Sequence, residues 1–316
     1  MDEDYKLVLV LGNGFDLDLG LKTKYGDFMG STFFKSSPDY LMDTSPVSGG
    51  VNLFKFLEKR LSSDKWIDLE HELATLALVR TKRGPNASFV EEMTFLALHK
   101  ALCSYLKEIK YDNINEDSVA LTLLRILNQY DLWEILSFNY TDLKNLEHYV
   151  GEINVPVEYI HGSIKDDSII LGFEDDLEID SSFCFMIKSF SPYYKSHNVR
   201  EKLLDANEII FFGHSLGHTD YHYFEDLFKY QSQAETANQN LIIRIFTFDE
   251  ESRIETLLQL REMNNKRTDL LYDLCDFEVY RTKDGIDKGK IDKYFGELTK
   301  RLQEHAPAYI PGPMFM

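Results

Sequence analysis

The sequence predicts a doubly wound, mostly parallel α/β sheet with a helical insertion between its first two strands. Short apolar runs recur along the chain and alternate with stretches of helical periodicity, a pattern typical of parallel sheets covered by helices on both faces. The first two apolar runs, 7–11 and 133–138, are separated by segment 51–130, which has helical periodicity and no strand-like run. We therefore expect one enlarged domain over residues 1–316, with 51–130 inserted into it.

Composition and net charge indicate a globular protein and limit the partners that we expect it to bind. Of the 316 residues, 44% are hydrophobic, which is enough for a sizeable core. The 53 acidic residues outnumber the 34 basic residues and give a net charge of −19, which repels polyanions. We therefore expect no nucleic acid and no membrane as partners. An acidic N-terminus and the lack of a span-length apolar run predict a cytoplasmic protein.

Metal and disulfide chemistry is not expected. The three cysteines are far apart and form no CxxC pair: Cys103, Cys184 and Cys275. His214, His218 and His222 have four-residue spacing, but the glycines among them disfavour the continuous helix that a zinc site on one face would need.

The first apolar run ends in a glycine turn. Gly12 and Gly14 let backbone approach a ligand without an intervening side chain, and Asp16 is predicted to cap the helix that follows. A strand, a glycine turn and a helix start together present amide N–H groups to a phosphate. Leu17 replaces the third glycine of a dinucleotide fingerprint, so a tight turn without a ligand is an equal alternative.

The later elements follow from periodicity and turn residues. We predict a helix over 25–34, a loop over 36–50 and about four helices in 51–130. Apolar runs predict strands at 133–138, 156–160, 168–171, 208–212, 241–248 and 277–280, with helices at 141–150, 219–230 and 250–261. Proline excludes a helix over 307–316, which is either disordered or lies along a groove.

Polar residues and glycines gather directly after the predicted strands. In open parallel sheets, ligands bind beyond the carboxyl ends of the strands. We therefore predict one site built from four segments: 12–16, 139–142, 161–163 and 213–220.

Three residues in these segments are candidate catalytic groups. His161 follows a strand and titrates near neutral pH, so it is the candidate base; a histidine that only caps the strand is the alternative. Asn139 could hold a ribose hydroxyl or a water, or could serve only as a turn former. Asp142 could join the site, but it also suits a helix cap, the role we favour.

An acidic segment opens one of the insertion helices. Asp68, Glu70 and His71 either reach over the site or favour the positive end of the helix.

Residues 213–217 match the G-x-S-x-G nucleophile elbow of serine hydrolases. Ser215, Asp249 and His305 follow in the hydrolase order. Bulky residues at 218–224 crowd the turn, and this interpretation gives the glycine turn and Asn139 no role. A serine hydrolase is therefore the alternative function.

Together the motifs resemble the AbiH family of bacterial abortive-infection proteins. The resemblance runs in the family's order through LGNGFDLDLGLKTKYGDF (11–28), WIDLE (66–70), LSFNYTD (136–142), YIHGS (159–163), LGFED (171–175) and FFGHSLGHTDYHYF (211–224). It implies a role in defence against bacteriophage, in which an infected cell stops supporting phage growth. It does not imply a particular reaction.

The order of the motifs is also similar to the Rossmann-like, sirtuin-like fold and its NAD-cleaving defence relatives. This similarity implies a cofactor-binding loop around the pyrophosphate, formed by Gly12, Asn13, Gly14, Phe15 and Asp16. It places Asn139 by the nicotinamide ribose, His161 as the base, and Gly213 with Ser215 on the adenosine side. The carboxylate of Asp16 would repel a pyrophosphate unless it is paired or capping. The zinc-binding cysteines of sirtuins are absent, which argues against deacylation.

The predicted function is therefore binding and hydrolysis of NAD or a related nucleotide, switched on by infection. Cleavage of the nicotinamide–ribose bond builds positive charge on the sugar, which an Asn or a carboxylate can stabilise while His161 takes a proton from water. No metal is required. A non-catalytic nucleotide-binding module that senses a phage-derived trigger is a further alternative, and assembly as a homo-oligomer stays open.

Overall fold

The protein is built around a six-stranded parallel sheet. The computed structural model describes residues 5–41, 50–61, 68–83 and 89–306. The strands are β1 (Leu7–Leu11), β2 (Trp133–Ser137), β3 (Val157–Tyr159), β4 (Glu208–Phe212), β5 (Ile242–Thr247) and β6 (Asp276–Arg281). Their order is β3-β2-β1-β4-β5-β6, and every neighbouring pair is parallel. The predicted fold class, a doubly wound Rossmann-like sheet, is confirmed.

Strand β1 lies at the centre of the sheet, where the strand order changes direction. All five of its residues are buried, as expected for a strand covered on both faces. Leu7 pairs with Trp133 of β2 on one side and with Glu208 of β4 on the other, so the three strands end at the same level. The carboxyl ends of β1 and β4 form the switch point at which sheets of this type bind ligands.

Helices flank the sheet and form the insertion. In the described part of the chain they are α1 (Asn13–Asp18), α2 (Tyr25–Gly30), α3 (Thr32–Lys35), α4 (Pro38–Leu41), α5 (Leu53–Leu61), α6 (Leu69–Arg83), α7 (Phe89–Lys107), α8 (Val119–Leu127), α9 (Glu147–Val150), α10 (Val199–Leu204), α11 (Tyr221–Gln231), α12 (Glu250–Met263), α13 (Thr268–Leu274) and α14 (Lys288–His305). Short 3₁₀ helices lie at Leu143–Leu146, Ser181–Met186, Lys188–Phe190, His218–Asp220 and Lys283–Gly285. Among these described helices, none has both the length and the apolar character needed to cross a bilayer.

Alternate residues of β1 contribute to different cores because side chains alternate along a strand. Leu9 packs in one cluster with Leu121 of α8 and Leu298 of α14. Val10 packs in the other with Leu227 of α11 and Leu260 of α12. Both faces of the sheet are therefore covered.

A third apolar cluster joins the insertion to the rest of the molecule. Leu57 of α5, Leu73 of α6 and Leu98 of α7 pack in it with Phe28 of α2 and Met186. These leucines lie on the apolar faces that the helical periodicity indicated. The insertion therefore rests against the segment around residue 186, next to the side chains described below. Its treatment as part of a single domain stays a prediction.

Three local predictions are wrong. Pro38–Leu41, in the predicted loop 36–50, form the short helix α4. Residues 168–171 form no strand: Ile170 N–H donates to His161 O at 2.8 Å, but no ladder runs beside the segment. The helix predicted over 25–34 is divided at Ser31, whose Oγ accepts from Phe34 N–H and caps α3. Residues 42–49 of the predicted loop, residues 66–67 and the tail 307–316 lie outside the described residues.

The opposite, amino-terminal edge of the sheet holds a buried carboxylate. Glu208 opens β4 and is fully buried. Arg301 of α14 donates to it through Nε and Nη2 at 3.0 and 2.8 Å, and the Tyr294 hydroxyl donates at 2.7 Å. The Tyr5 hydroxyl also donates to it. A bidentate guanidinium compensates the buried charge and ties α14 to β4.

Candidate functional site

The glycine turn after β1 packs directly against the loop after β4. Gly12 N–H donates to Phe212 O at 3.0 Å and Gly14 N–H donates to Gly213 O at 2.9 Å. Gly213 has φ +64°, and a Cβ there would lie 2.3 Å from Gly14 Cα. The glycines are therefore required for close backbone packing. Because the amides of Gly12 and Gly14 are bonded within the protein, this geometry argues against their predicted role as a phosphate cradle.

The side chains of the other turn residues make their contacts with other parts of the protein. The predicted cap at Asp16 is wrong: α1 begins after Gly12, and Asp16 lies inside the helix with its side chain buried. Its carboxylate accepts from Thr141 Oγ1 at 2.9 Å. Phe15 packs edge-on against Phe212 in the core, with ring centroids 5.5 Å apart. Asn13 Oδ1 accepts from the Thr23 hydroxyl.

Asn139 joins the turn after β1 to the end of β2. Its Nδ2 donates to Gly12 O at 3.0 Å. Asp142 has the capping role that we favoured for it. Its Oδ1 accepts from Lys144 N–H at 3.0 Å and caps the 3₁₀ helix Leu143–Leu146. Asn139 therefore lies at the carboxyl edge of the sheet, while Asp142 is held in a local turn.

His161 forms the centre of the site. Its Nε2 lies 2.7 Å from Asp220 Oδ1. His214, after β4, approaches the same carboxylate, with Nε2 3.4 Å from Asp220 Oδ2. Leu216 N–H donates to His214 Nδ1 at 2.9 Å, which places the His214 proton on Nε2, facing Asp220. One carboxylate thus orders two histidines, one after β3 and one after β4.

A buried lysine extends this pair into a cluster of charges, which we call the Lys188 cluster: Glu70, His161, Glu174, Lys188 and Asp220. Lys188 has no solvent exposure. Its Nζ lies 3.0 Å from Glu70 Oε2, 3.1 Å from Glu174 Oε1 and 3.6 Å from Asp220 Oδ1. It is also 3.4 Å from His161 Nε2. Three acidic side chains from separate segments therefore surround one cation.

The pKa values in the cluster depend on burial and on the lysine. Burial lowers the pKa of Lys188, but the three carboxylates outweigh it and raise that pKa well above its usual value. Burial raises the pKa of Asp220, but the charge of Lys188 and the hydrogen bonds from His161 and His214 hold it well below the usual range. For Glu70 and Glu174, burial outweighs the attraction of Lys188 and their pKa values are raised. Asp220 is therefore the carboxylate most firmly ionised.

Aromatic side chains form the walls of the site. Phe138, directly after β2, packs edge-on against His161 and His214, with ring centroids 5.3 and 4.6 Å away. The Tyr140 hydroxyl donates to Glu70 Oε1 at 3.1 Å. Burial lowers the pKa of the neighbouring His222. These rings limit access of water to the cluster and strengthen its electrostatic interactions.

A cavity of about 480 Å³ lies beside the loop that carries His161. It is lined by Tyr159 and Gly162 on one side and by Tyr193, Lys195 and His197 on the other. Its volume is within the range of small-molecule binding sites. The side chains of Asp220 and Glu174 keep 14% and 12% of their exposure, so the cluster is not sealed from solvent.

The serine-hydrolase arrangement is not assembled. Ser215 is exposed, and His214 Nδ1 is occupied by a backbone amide. Asp249 caps α12 by accepting from Ser252 N–H at 3.1 Å. The ring of His305 stacks on Tyr5, which precedes β1 at the opposite edge of the sheet. The predicted order Ser, Asp, His therefore has no spatial counterpart.

Sequence reasoning found only part of the Lys188 cluster. It selected His161, and it considered that Glu70 could reach over the site. Asp220 lay in the predicted segment 213–220 but was given no role, and Lys188 and Glu174 were not singled out. A signal for Lys188 exists, because a lone lysine in the apolar run 183–190 must be buried with a partner. Within the described residues, no three His, Cys, Asp or Glu side chains are arranged to hold a metal ion.

Comparison with known families identifies the chain. The family model described as "Bacteriophage abortive infection AbiH" matches residues 8–240. The chain belongs to the AbiH family. The match to AbiH includes the glycine turn and every member of the Lys188 cluster, and it associates the chain with bacteriophage abortive infection. No curated protein matches the chain.

Proposed function

We propose that this AbiH-family protein acts in phage defence by hydrolysing NAD at the nicotinamide–ribose bond. The observation that carries the proposal is the pairing of His161 Nε2 with Asp220 Oδ1 at 2.7 Å, at the carboxyl edge of a doubly wound sheet. Asp220 accepts the proton of Nε2, which leaves the lone pair of His161 on Nδ1. A histidine in this state is suited to act as a general base.

The reaction forms a bond between a water oxygen and C1′ of the ribose. The bond from C1′ to the nicotinamide nitrogen breaks, and its electron pair stays on nicotinamide. The proton of the water passes to His161 Nδ1. Positive charge that develops on the ribose is stabilised by the ionised carboxylate of Asp220 and by the amide oxygen of Asn139.

The position of the site supports a dinucleotide as substrate. Asn139 and His214 follow β2 and β4, the two neighbours of β1, and the strand order reverses between β1 and β4. Sheets with this order bind dinucleotides in the crevice at the reversal. The cavity of about 480 Å³ next to Gly162 offers room for one nucleotide half.

The test is to incubate the purified chain with NAD, NADP and ATP and to follow each by chromatography, with and without extract from phage-infected cells. We expect release of nicotinamide from NAD. His161→Ala and Asn139→Ala should abolish the release while circular dichroism stays unchanged. Full turnover in either variant would remove that residue from the mechanism. Tight nucleotide binding without turnover, even with infected extract, would instead identify a sensing module.

A further inference from the structure

We propose that the exposed face of α12 is a dimer interface that binds the same face of a second copy of the chain. The face consists of Glu251, Ile254, Leu258 and Arg261, which we call the α12 seam. Two seams pack in antiparallel orientation about a two-fold axis at the level of residue 256. The proposal does not depend on the proposed function, because no residue of the seam belongs to the candidate site.

Helix α12 is attached to the rest of the protein by one face. Thr256, Leu260 and Met263 are its buried residues. Ile254 and Leu258 lie one turn apart on the side of the helix away from them and are 47% and 55% exposed. Polar residues normally cover the solvent side of a surface helix, so two adjacent large aliphatic side chains indicate a contact with another molecule.

The spacing of the seam fits pairing with another helix. Its four residues are separated by three, four and three positions, which is the spacing of a and d positions in a coiled coil. This spacing is the same in both directions along the helix. In an antiparallel pair, positions equally far from residue 256 on either side face each other. Ile254 then lies opposite Leu258 of the partner subunit, and this apolar contact occurs twice.

The charges at the two ends of the seam are complementary to each other. Glu251 and Arg261 are exposed and lie equally far from residue 256, so each faces the other across the axis. Within the chain, Arg261 has only a long contact with its neighbour Glu262, with Nη1 4.0 Å from Oε1. A parallel pair would instead place two copies of Glu251 together and two copies of Arg261 together. Charge complementarity therefore selects a second copy in antiparallel orientation.

The interface is small and carries a built-in repulsion. One helix face buries less than the roughly 800 Å² per partner of a standard interface, so we expect a Kd on the order of 10–100 μM. Glu255 is exposed beside the seam, one position from the axis, so its two copies come close together and oppose association. The net charge of −19 on each copy acts in the same direction.

The first measurement is sedimentation equilibrium of the full chain at concentrations from about 5 to 200 μM. We expect a monomer–dimer equilibrium, which Leu258→Arg should weaken by at least about 30-fold because a cation replaces an apolar contact twice. Leu96→Arg is the matched control: Leu96 lies on α7 with 57% exposure and should not affect the equilibrium. A wild type that stays monomeric, a dimer that survives Leu258→Arg, or a dimer lost in Leu96→Arg would overturn the proposal.

The second measurement tests the orientation by reversing charges. Glu251→Arg and Arg261→Glu each place like charges opposite each other twice and should weaken self-association about tenfold. An equimolar mixture of the two variants should form a heterodimer about as tight as the wild-type dimer, because one variant then supplies both cations and the other both carboxylates. Glu255→Gln should strengthen the wild-type dimer by about threefold.

Far-UV circular dichroism of each variant should match the wild type, which confirms that the variants fold. A mixture that associates no better than either variant alone would overturn the antiparallel contact.

Discussion

His161 and His214 share a single carboxylate. Asp220 Oδ1 lies 2.7 Å from His161 Nε2, and Asp220 Oδ2 lies 3.4 Å from His214 Nε2. The two histidines come from the ends of β3 and β4, which are separated in the sheet by β2 and β1. Asp220 therefore fixes the relative position of two strand ends and selects the tautomer of each imidazole.

Asp220→Asn should lower turnover by about 10²-fold or more while the protein still folds. The new amide can donate to His161 Nε2, which moves the imidazole proton to Nδ1 and removes the base. Nicotinamide release under saturating NAD is the measurement. Asp226→Asn is the matched control, because Asp226 lies on α11 and pairs at the surface with Arg200. Equal activity of the two variants would contradict this role of Asp220.

Lys188→Met should lower the free energy of unfolding at pH 7.5 by about 3–5 kcal/mol, because three buried carboxylates lose their common cation. The loss should shrink towards pH 5, since Glu70 and Glu174, whose pKa values are already raised, then take up protons. Urea unfolding at pH 7.5 and at pH 5 gives the loss in free energy of unfolding under each condition. Lys195→Met, at an exposed position, should change stability by less than about 0.5 kcal/mol. A pH-independent loss in Lys188→Met would show that the cost is one of packing alone.

Gly213→Ala should lower stability by at least about 2 kcal/mol or prevent folding, because the residue has φ +64° and its Cβ would collide with Gly14. Gly296→Ala is the control, since Gly296 lies inside α14 and the added methyl would meet nothing within 4 Å apart from the nearby backbone of its own helix. It should raise stability by about 1 kcal/mol. Thermal unfolding of both variants is the measurement, and a well-tolerated Gly213→Ala would refute the close packing of the two loops.

The stability of the wild type relative to Asp16→Asn should fall as the pH rises from about 4 to 7. Burial raises the pKa of Asp16 from 3.8 to about 7, so the folded protein keeps a proton over this interval that the unfolded chain has released. The difference should amount to roughly 4 kcal/mol across the interval. Urea titrations of both proteins at four pH values provide the comparison. A constant difference would mean that Asp16 ionises in its ordinary range.

A fluorophosphonate probe should leave Ser215 unlabelled. Neither His214 nor His305 can serve this serine as a general base, because His214 Nδ1 accepts from Leu216 N–H and His305 stacks on Tyr5 at the other edge of the sheet. Peptide mass spectrometry after treatment with the probe is the measurement. Stoichiometric labelling of Ser215 would instead support the serine-hydrolase function.

The fold could be predicted because the sequence patterns that indicate its strands and helices are local. Five-residue apolar runs such as Leu7–Leu11 are typical of strands buried on both faces, and the strand order then brings their ends together. Segment 168–171 shows the limit of this reasoning, because its apolar pattern suits a strand but no described strand pairs with it. Pairing is a property of the whole sheet and is not visible in four residues.

The site was predictable only where a residue directly follows a strand. His161 and Asn139 meet this condition. Lys188 and Glu174 lie on a segment that a third apolar cluster folds back over the sheet edge, and neither periodicity nor spacing encodes that path. Asp16 was assigned as a cap because a carboxylate near a helix start suits that role. In the structure its carboxylate is buried and accepts from the Thr141 hydroxyl instead of capping the helix.

The buried pairing of Glu208 with Arg301 bears on how the chain is made. Glu208 begins the strand next to the centre of the sheet, yet the guanidinium that neutralises it is supplied 93 residues later. While the ribosome is still producing α14, that carboxylate lacks this cation, and closing the sheet around it would be costly. Arg301 lies beyond the 8–240 family match, so a residue outside the match neutralises a buried carboxylate within it. Chains truncated before Arg301 should accordingly fail to close the sheet around Glu208, so the segment that carries α14 is needed for the fold of the central strands.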